Sequence, residues 1–305
     1  MSYEENNPSD IDQKWVFQIL KNIIPDLETS EISFLYHGTY NVFKVKDEFI
    51  FRFPDKHFRN QKGQQMIVNE IKTLKMLKKH IKIKIPDPIF FSTRKDELYM
   101  GYKKIEGISL SRCVRMMSSS QKLEIAGSIG KILSQLHSRS LIHKIFPKTN
   151  FSFNAFKQDW RHKFEKIKAI AYPILSENQK DWVHKLYSCY LNNEDNFNFE
   201  PSIAHCDFDT SNIIVNPSNF RIEGIIDFED TKIYDPSIDL LFLDEGEEFM
   251  KMIFKKYKIH KYDDLKERIL FFYNQMGLEY LIFGIENDLE EMIKAGISLL
   301  IKRME

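Results

Sequence analysis

The side chains best suited to chemistry lie in two neighbouring segments, residues 205–215 and 224–230, which read HCDFDTSNIIV and GIIDFED. In the first segment Asp207 and Asn212 stand five positions apart, and in the second Asp227 follows a short apolar run. A carboxylate and an amide oxygen together suit a hard cation such as Mg²⁺. A further carboxylate nearby could accept the proton of an alcohol that attacks a phosphorus atom. These residue types together fit metal-assisted phosphoryl transfer.

Two short strands are predicted to position these side chains. Residues 212–215 and 222–226 are mainly apolar runs of strand length, with Asn212 and Glu223 as their polar members, and a polar segment separates them. Paired as a hairpin, the two runs would bring Asn212 and Asp227 close together, so that two oxygen ligands converge on one point. Asp207 would lie one loop away from that point.

Simpler structural roles are open to single members of this stretch. An isolated Asp in a turn is usually a cap or an Asx-turn, and Asp230 and Asp235 taken alone fit that role. The combined spacing of Asp207, Asn212 and Asp227 is much more specific. For His205 we expect a hydrogen bond that fixes the loop.

The first third of the sequence predicts a small antiparallel sheet with one inserted helix. Apolar residues at helical spacing predict a first helix over residues 11–24 and the inserted helix over residues 64–79. Short apolar runs bounded by turn residues predict five strands, at residues 32–35, 41–45, 49–53, 89–91 and 97–103.

The remainder of the chain is predicted to be mainly helical. Helical periodicity covers residues 121–138 and 156–191 and returns after the two strands of the chemical segments. This order predicts an α+β, bilobal fold, with a small antiparallel-sheet N-lobe containing one helix and a larger, mainly helical C-lobe. We expect the N-lobe to span residues 1–104 and the C-lobe residues 105–305.

The composition argues against several classes of protein. The 305 residues carry 44 Lys and Arg against 44 Asp and Glu, and this balance argues against a surface devoted to nucleic acid or anionic membrane. No apolar run approaches the roughly 18–20 residues that cross a bilayer, and the polar N-terminus does not resemble a signal peptide. Three scattered cysteines do not suggest a disulfide framework. We expect a cytoplasmic monomer without a membrane or nucleic-acid partner.

The two chemical segments resemble those of a known family. HCDFDTSNII is similar to the catalytic loop of the aminoglycoside phosphotransferases, and GIIDFEDTKIYDPSIDL is similar to their metal-binding segment. These enzymes are small-molecule kinases with the protein-kinase-like fold, and the sequence is most similar to their 2''-phosphotransferases. The resemblance implies Mg²⁺ as cofactor, GTP or ATP as phosphate donor, and a small cationic acceptor, an aminoglycoside.

The resemblance also implies a role for each matching position of the C-lobe. Asp207 would be the catalytic base, and Asn212 and Asp227 would be the metal ligands. Ile214 would form the floor under the nucleotide base, and Ile226 would line the phosphate side of the pocket.

Further nucleotide contacts are implied in the N-lobe. The phosphate-facing loop, residues 36–41, has a single glycine. Arg52 stands where the family typically has a Lys that touches the phosphates, and a planar guanidinium is not equivalent to an ammonium. Glu70 is the only acid among nine Lys and Arg from Lys56 to Lys84. It is therefore either the partner of Arg52 or the counter-charge of a basic helix face.

The hinge between the lobes is implied at residues 102–105, where Lys103 and Ile105 would present backbone groups to the purine. Tyr102, at the gatekeeper position, would narrow the adenine pocket and favour GTP. Glu229 stands where many relatives have Gly after Asp-Phe, although choline and ethanolamine kinases also carry Glu there.

Acidic residues near the chemical segments could attract a cationic acceptor. Asp244, Glu245 and Glu248 belong to an acidic cluster with no basic residue from Leu240 to Met250, and Asp209 lies in the catalytic loop itself. A structural role is equally open, because acids favour the first turn of a helix and Glu247 could pair with Lys251 one helical turn later.

Two alternatives remain open at this point. A kinase of the same fold that acts on a macrolide, choline or another small alcohol would share every feature named so far. A catalytically silent nucleotide-binding protein is favoured by Arg52 and the glycine-poor loop, but the intact set of Asp207, Asn212 and Asp227 argues against it.

Overall fold

The computed structural model of the chain describes residues 13–147 and 151–305, which form two compact units. The first unit contains the described residues up to Gln121 together with Thr210–Thr231, and the second contains those of Lys122–Asp209 and Lys232–Glu305. The predicted α+β class is confirmed, with a small antiparallel sheet in the N-terminal region and a larger helical C-terminal part. The lobe boundary at residues 104 and 105 stays a prediction.

The five predicted strands of the first unit are β1 (Ile32–His37), β2 (Tyr40–Val45), β3 (Phe49–Pro54), β4 (Pro88–Ser92) and β5 (Tyr99–Lys103). They form one antiparallel sheet in the order β1-β2-β3-β5-β4. The β2–β3 turn contains two residues with positive φ, Lys46 at 52° and Asp47 at 53°, as a tight hairpin turn requires. Aromatic side chains such as Phe43, Phe51 and Phe53 fill the core against the first helix.

The two predicted helices of the first unit are present as α1 (Gln13–Ile23) and α2 (Gln61–Leu77). The prediction for the first helix also covered residues 11 and 12, which lie outside the described residues. The second helix begins before the predicted residue 64, because the side chain of Asn60 accepts hydrogen bonds from the N–H groups of Lys62 and Gly63. This N-cap satisfies two donors that a helix start otherwise leaves unpaired.

The predicted hairpin of the chemical segments is present, and it belongs to the first unit. It forms a three-stranded antiparallel sheet in which β8 (Ile213–Val215) pairs with both β6 (Ile108–Ser109) and β9 (Ile222–Ile225). The N–H of Ile225 donates to the carbonyl oxygen of Lys84 at 3.0 Å, which ties the hairpin to the segment between α2 and β4.

The second unit consists mainly of helices. Its short two-stranded sheet, β7 (Ser202–Ala204) with β10 (Lys232–Tyr234), was not predicted. The helical stretch predicted over residues 156–191 is two helices, since a short 3₁₀ turn containing Pro173 and the capping residue Ser176 interrupt it. The helices are α3 (Ser119–Leu136), α4 (Arg139–Ile145), α5 (Phe153–Ile170), α6 (Glu177–Asn192), α7 (Glu247–Lys256), α8 (Tyr262–Glu286) and α9 (Glu290–Met304).

Aromatic residues fill the core of the second unit. Tyr190 and Phe271 stack with their ring centroids 3.6 Å apart, and Trp160 meets Phe271 edge to face at 5.0 Å. Such pairs stabilise a core beyond the apolar area that they bury. None of the described helices combines the length and the apolar character needed to cross a bilayer.

A close approach between α3 and α7 depends on Gly130, and it provides a test of the packing of the second unit. A methyl group at Gly130 would lie 2.3 Å from the carbonyl oxygen of Ile253, whereas one at Gly127 on the same helix would meet its nearest neighbour at 3.5 Å. We expect Gly130→Ala to lower the free energy of unfolding by about 1–3 kcal/mol through overpacking.

The matched variant Gly127→Ala should raise the free energy of unfolding by up to about 1 kcal/mol, because alanine is the better helix former. Urea unfolding of the two variants beside the wild type measures both effects. Equal effects would contradict the observed packing.

Candidate functional site

The hairpin places the two predicted metal ligands side by side. Asn212 directly precedes β8, and Asp227 follows β9 by two positions. The N–H of Ile226 donates to the carbonyl oxygen of Asn212 at 3.0 Å, so Asn212 lies opposite the residue before Asp227. Asn212 is buried, and Asp227 has a left-handed backbone with φ of 66°. For a residue other than glycine this conformation is costly, and such residues are frequent at functional sites.

Arg52 connects Asp227 to the five-stranded sheet. From β3, its Nη1 donates to Glu70 Oε1 at 2.5 Å, which confirms the predicted pairing with α2. Its Nη2 donates to Asp227 Oδ1 at 2.8 Å and to Glu229 Oε2 at 3.2 Å. The sequence did not predict these two contacts, which join residues 175 and 177 positions apart. One guanidinium therefore faces three carboxylates.

Burial strengthens the electrostatics of this cluster. The side chains of Arg52 and Glu70 are 3% and 0% exposed, and the ring of Tyr40 stacks 4.1 Å from the guanidinium carbon. Burial raises the pKa of Glu70 to about 7, although Arg52 opposes the shift, and burial raises the pKa of Glu229 as well. Counted by formal charge, the single guanidinium does not balance the three acids that it contacts.

This excess of negative charge fits the predicted Mg²⁺. Asn212 and Asp227 supply oxygen donors, and the uncompensated negative charge around Arg52 favours a further cation. The described residues contain no group of three His, Cys, Asp or Glu arranged around one metal position. Mg²⁺ does not need such a group, because it is usually held by one or two protein ligands together with phosphates and water.

The predicted catalytic base lies in the second unit, on the loop that follows β7. The side chain of Asp207 is exposed, and its backbone N–H donates to Nδ1 of His205 at 3.3 Å. The loop-fixing hydrogen bond predicted for His205 is therefore present. Between them Cys206 has a left-handed backbone with φ of 69°.

The buried side chain of Asp239 holds this loop in place, a role that was not predicted from the sequence. Its buried carboxylate accepts hydrogen bonds from the N–H groups of His205 at 2.7 Å and of Cys206 at 2.8 Å. His137 Nε2 lies 3.0 Å from the same carboxylate, and His137 Nδ1 lies 2.8 Å from the hydroxyl of Tyr257. A carboxylate only accepts, so Nε2 of His137 donates to Asp239, and in the neutral ring Nδ1 then accepts from the hydroxyl of Tyr257.

Asp235 has the capping role that was predicted for it, together with an ion pair. Its side chain caps the short turn that begins at Pro236 by accepting from the N–H of Ser237 at 2.9 Å. The second carboxylate oxygen accepts from Nε of Arg268 at 2.7 Å, and both charges are buried. The segment after β10 is thus anchored by two buried acids, Asp235 and Asp239.

The structure also places the residues predicted to contact the nucleotide. Tyr102 is buried in β5, and Lys103 is exposed 3.6 Å from Glu48. Ile214 is buried in β8, and Ile105 packs against Gly224 of β9. With Ile226 they belong to the first unit. Their roles in nucleotide binding stay predictions.

The predicted acidic cluster is partly balanced within the second unit. Asp244 pairs with Lys302 at 2.9 Å and Arg303 at 2.8 Å on α9, and its hydrogen bond with Arg303 lowers its pKa below the ordinary 3.8. The predicted structural alternative is also present, because Lys251 on α7 pairs with Glu247 at 2.8 Å and Glu248 at 3.0 Å.

The remaining acids of this group differ in exposure. Asp209 is exposed, two residues after Asp207, and Glu245 is half-buried. The role of these acids and of Asp244 and Glu248 in substrate binding stays a prediction.

The support that Asp239 gives the loop can be tested by measuring the free energy of unfolding. Asp239→Asn removes a buried charge and turns an N–H₂ group toward backbone donors, so we expect the free energy of unfolding to fall by roughly 3 kcal/mol. Asp244→Asn, the same change at an exposed ion pair, should cost less than about 1 kcal/mol. Denaturant unfolding at pH 7 compares the two variants. A loss at Asp239 no larger than the loss at Asp244 would refute the anchoring role.

Comparison with known proteins assigns the fold. A family model described as the phosphotransferase enzyme family, APH, matches residues 31–260. The GDP complex of wild-type aminoglycoside 2'-phosphotransferase-IIIa is 21% identical, with 96% of this chain and 98% of that chain covered at a TM-score of 0.83. A gentamicin complex of APH(2")-IIa is 22% identical, with coverages of 95% and 96% and a TM-score of 0.72.

A macrolide enzyme has the same fold. The macrolide 2'-phosphotransferase MphH from Brachybacterium faecium is 14% identical, with 94% of this chain and 98% of that chain covered at a TM-score of 0.70. The predicted protein-kinase-like fold is confirmed by these matches. Because the family model matches well over half of the residues, the chain belongs to the phosphotransferase enzyme family.

Proposed function

We propose that this phosphotransferase is a small-molecule kinase that transfers the γ-phosphate of GTP or ATP to a hydroxyl of an aminoglycoside, the 2''-hydroxyl by resemblance. The observation that carries the proposal is the hairpin that sets Asn212 beside Asp227, with Asp227 held by Arg52. The three acids and one base of this cluster leave formal negative charge, which would attract the metal ion that neutralises the phosphates.

Asp207 is the proposed base. Bound at Asn212 and Asp227, Mg²⁺ would supply charge neutralisation for the phosphates. Asp207 would orient the acceptor hydroxyl and take its proton as the phosphoryl group is transferred directly, without a phosphoenzyme. The hydrogen bonds from His205 and Cys206 to Asp239 support this role, because they fix the backbone just before Asp207.

The nucleotide site is proposed in the first unit. Ile214 and Ile226 would line it, and the backbone at Lys103 and Ile105 would read the purine edge. Tyr102, buried and bulky, would favour GTP over ATP. Arg52 and Glu70, which form an ion pair between the sheet and α2, would belong to the same site.

The substrate that we propose is a cationic acceptor. Solved structures with this fold include a kanamycin complex of APH(2")-IIIa and the gentamicin complex of APH(2")-IIa. Asp209, Asp244, Glu245 and Glu248 would supply the negative charge that such polycations need.

A second candidate is a kinase acting on a macrolide, choline or another small alcohol. Asp244 and Glu248 already have cationic partners on α9 and α7, which reduces the charge available to a polycation. The shared fold of the macrolide 2'-phosphotransferase agrees with this alternative.

The proposal is tested by phosphate transfer with Mg²⁺, using GTP and ATP in parallel against 4,6-linked aminoglycosides, a macrolide and choline. We expect transfer to an aminoglycoside, and we expect Asp207→Asn to lower kcat by a factor of roughly 10²–10⁴, the usual contribution of a positioned base. Asp209→Asn, in the same loop, should raise the acceptor KM and largely preserve kcat.

Transfer to choline or the macrolide alone would contradict the proposed substrate and would leave the proposed role of Asp207 as the base intact. Nucleotide binding without transfer to any acceptor, with no difference between wild type and Asp207→Asn, would favour a silent binding protein.

The acidic cluster is tested by neutralising Glu245 and Glu248 together with Gln. If these acids attract the acceptor, the aminoglycoside KM should rise roughly three- to tenfold, as expected for two partly exposed charges. The KM for the nucleotide measured with the same variant is the internal control and should not change. An unaltered aminoglycoside KM would assign the cluster to helix capping and local pairing alone.

A further inference from the structure

The outer face of α2 and the neighbouring strand β4 expose large apolar side chains. Val68 on α2 is 38% exposed, and Ile89 and Phe91 on β4 are 51% and 42% exposed. Ile89 and Phe91 are two positions apart, so they stand on one face of the strand. Phe90, between them, packs instead against the aromatic core of the first unit. The proposed phosphotransfer does not use the exposed side chains.

Two contacts show that this face of α2 runs beside β4. Gln64 Nε2 donates to the carbonyl oxygen of Thr93 at 2.6 Å, and Nζ of Lys75 lies 4.5 Å from the ring centroid of Phe91. Val68 stands one turn after Gln64 and two turns before Lys75, on the same side of the helix. The helix and the strand therefore share one surface. We call it the α2–β4 face, and its residues are Val68, Lys72, Lys75, Lys79, Ile89 and Phe91.

The α2–β4 face carries unbalanced positive charge. Residues 61–92 contain seven Lys and two acids, in a chain whose formal net charge is zero. Both acids are already paired, because Glu70 is buried against Arg52 and Asp87 contacts Lys78. The exposed lysines of this face, which have no acidic partner among the described residues, are Lys72, Lys75 and Lys79.

The backbone of β4 is less suited to a partner than its side chains are. β4 lies at the edge of the sheet, where it pairs only with β5 among the described strands. It begins with Pro88, which has no N–H group, and its register with β5 shifts between Pro88 and Phe90. Proline and irregular register discourage a further strand from adding to an edge. A partner would therefore meet the exposed side chains and would not extend the sheet.

Apolar side chains among unpaired lysines suit an anionic lipid surface. Such side chains enter the boundary between headgroups and acyl chains, while lysines attract the anionic headgroups. Headgroups are mobile and can meet each lysine where it stands, whereas an acidic protein would need carboxylates at matching fixed positions. A single-stranded nucleic acid would stack on aromatic rings, but Val68 and Ile89 are aliphatic and Lys75 covers the ring of Phe91.

We propose that the α2–β4 face binds the anionic surface of a membrane, with its apolar side chains in the headgroup boundary and its unpaired lysines against the headgroups. The face is separate from the proposed phosphotransfer site, since Glu70 extends from the opposite side of α2 to Arg52. The proposal departs from the expectation of no membrane partner, because a balanced total charge conceals a local excess.

Flotation of the full chain with lipid vesicles tests the proposal. Vesicles of equal parts phosphatidylserine and phosphatidylcholine provide the anionic surface, and vesicles of phosphatidylcholine alone provide the neutral one, both at about 0.1 M salt. We expect the wild-type chain to bind the anionic vesicles more tightly than the neutral ones by roughly tenfold or more.

Substitutions on the α2–β4 face separate the two kinds of contact. Lys72→Glu combined with Lys75→Glu should weaken binding to anionic vesicles by roughly tenfold or more, since one lysine near such a surface contributes about fivefold. Phe91→Ser should weaken the same binding by about threefold through lost apolar contact. The matched control is Lys122→Glu combined with Lys131→Glu on α3, which changes the charge equally outside this face and should alter the affinity by less than about threefold.

Each alternative gives a different result. Equal binding to anionic and neutral vesicles, or equal losses with the two pairs of lysine substitutions, would overturn the proposal. Tighter binding to polyuridylic acid than to anionic vesicles would assign the face to nucleic acid instead. A dimer that Phe91→Ser dissociates would assign it to a second copy of the chain. If circular dichroism shows that Phe91→Ser does not fold, Ile89→Ser makes the same test.

Discussion

The first unit is organised around one buried guanidinium that must satisfy three carboxylates. Arg52 comes from β3, Glu70 from α2, and Asp227 and Glu229 from the segment after β9. An unpaired buried charge costs several kcal/mol, and loss of Arg52 would leave the fully buried carboxylate of Glu70 without its cationic partner. The five-stranded sheet, its helix and the distant hairpin are therefore interdependent.

The second unit uses the same physical means for a different purpose. There the buried acid Asp239 collects two backbone donors and the ring of His137, and so holds the loop that ends at Asp207. Both loops contain a residue in the left-handed region, Asp227 in one and Cys206 in the other. In each case charged hydrogen bonds hold the loop, and the side chain proposed for the chemistry, Asp227 or Asp207, is partly or fully exposed.

The strands and the hairpin could be predicted from the sequence because alternation and turn residues are local signals. The ion pair between Arg52 and Glu70, one of two predicted alternatives, was also suggested by a local signal, since Glu70 is the only acid from Lys56 to Lys84. The contacts that were not predicted join residues that are far apart in the sequence. His137 and Asp239 are 102 residues apart, and no periodicity links them.

The acidic cluster shows the same limit of sequence reasoning. Its pairing with Lys251 follows from helical spacing and was predicted, but the partners of Asp244 on α9 lie 58 and 59 residues away. The break at Pro173 was missed because the helical periodicity continues on both sides of it. Glu229 was noted as a departure from relatives, yet only the folded hairpin reveals that it faces Arg52.

The proposed function depends most on whether Asn212 and Asp227 bind the metal ion. A crystal structure of the chain with GDP or ADP and Mg²⁺ tests it most directly. We expect a metal ion in contact with Asn212 and Asp227. A metal ion bound elsewhere, with neither side chain among its ligands, would contradict the proposal.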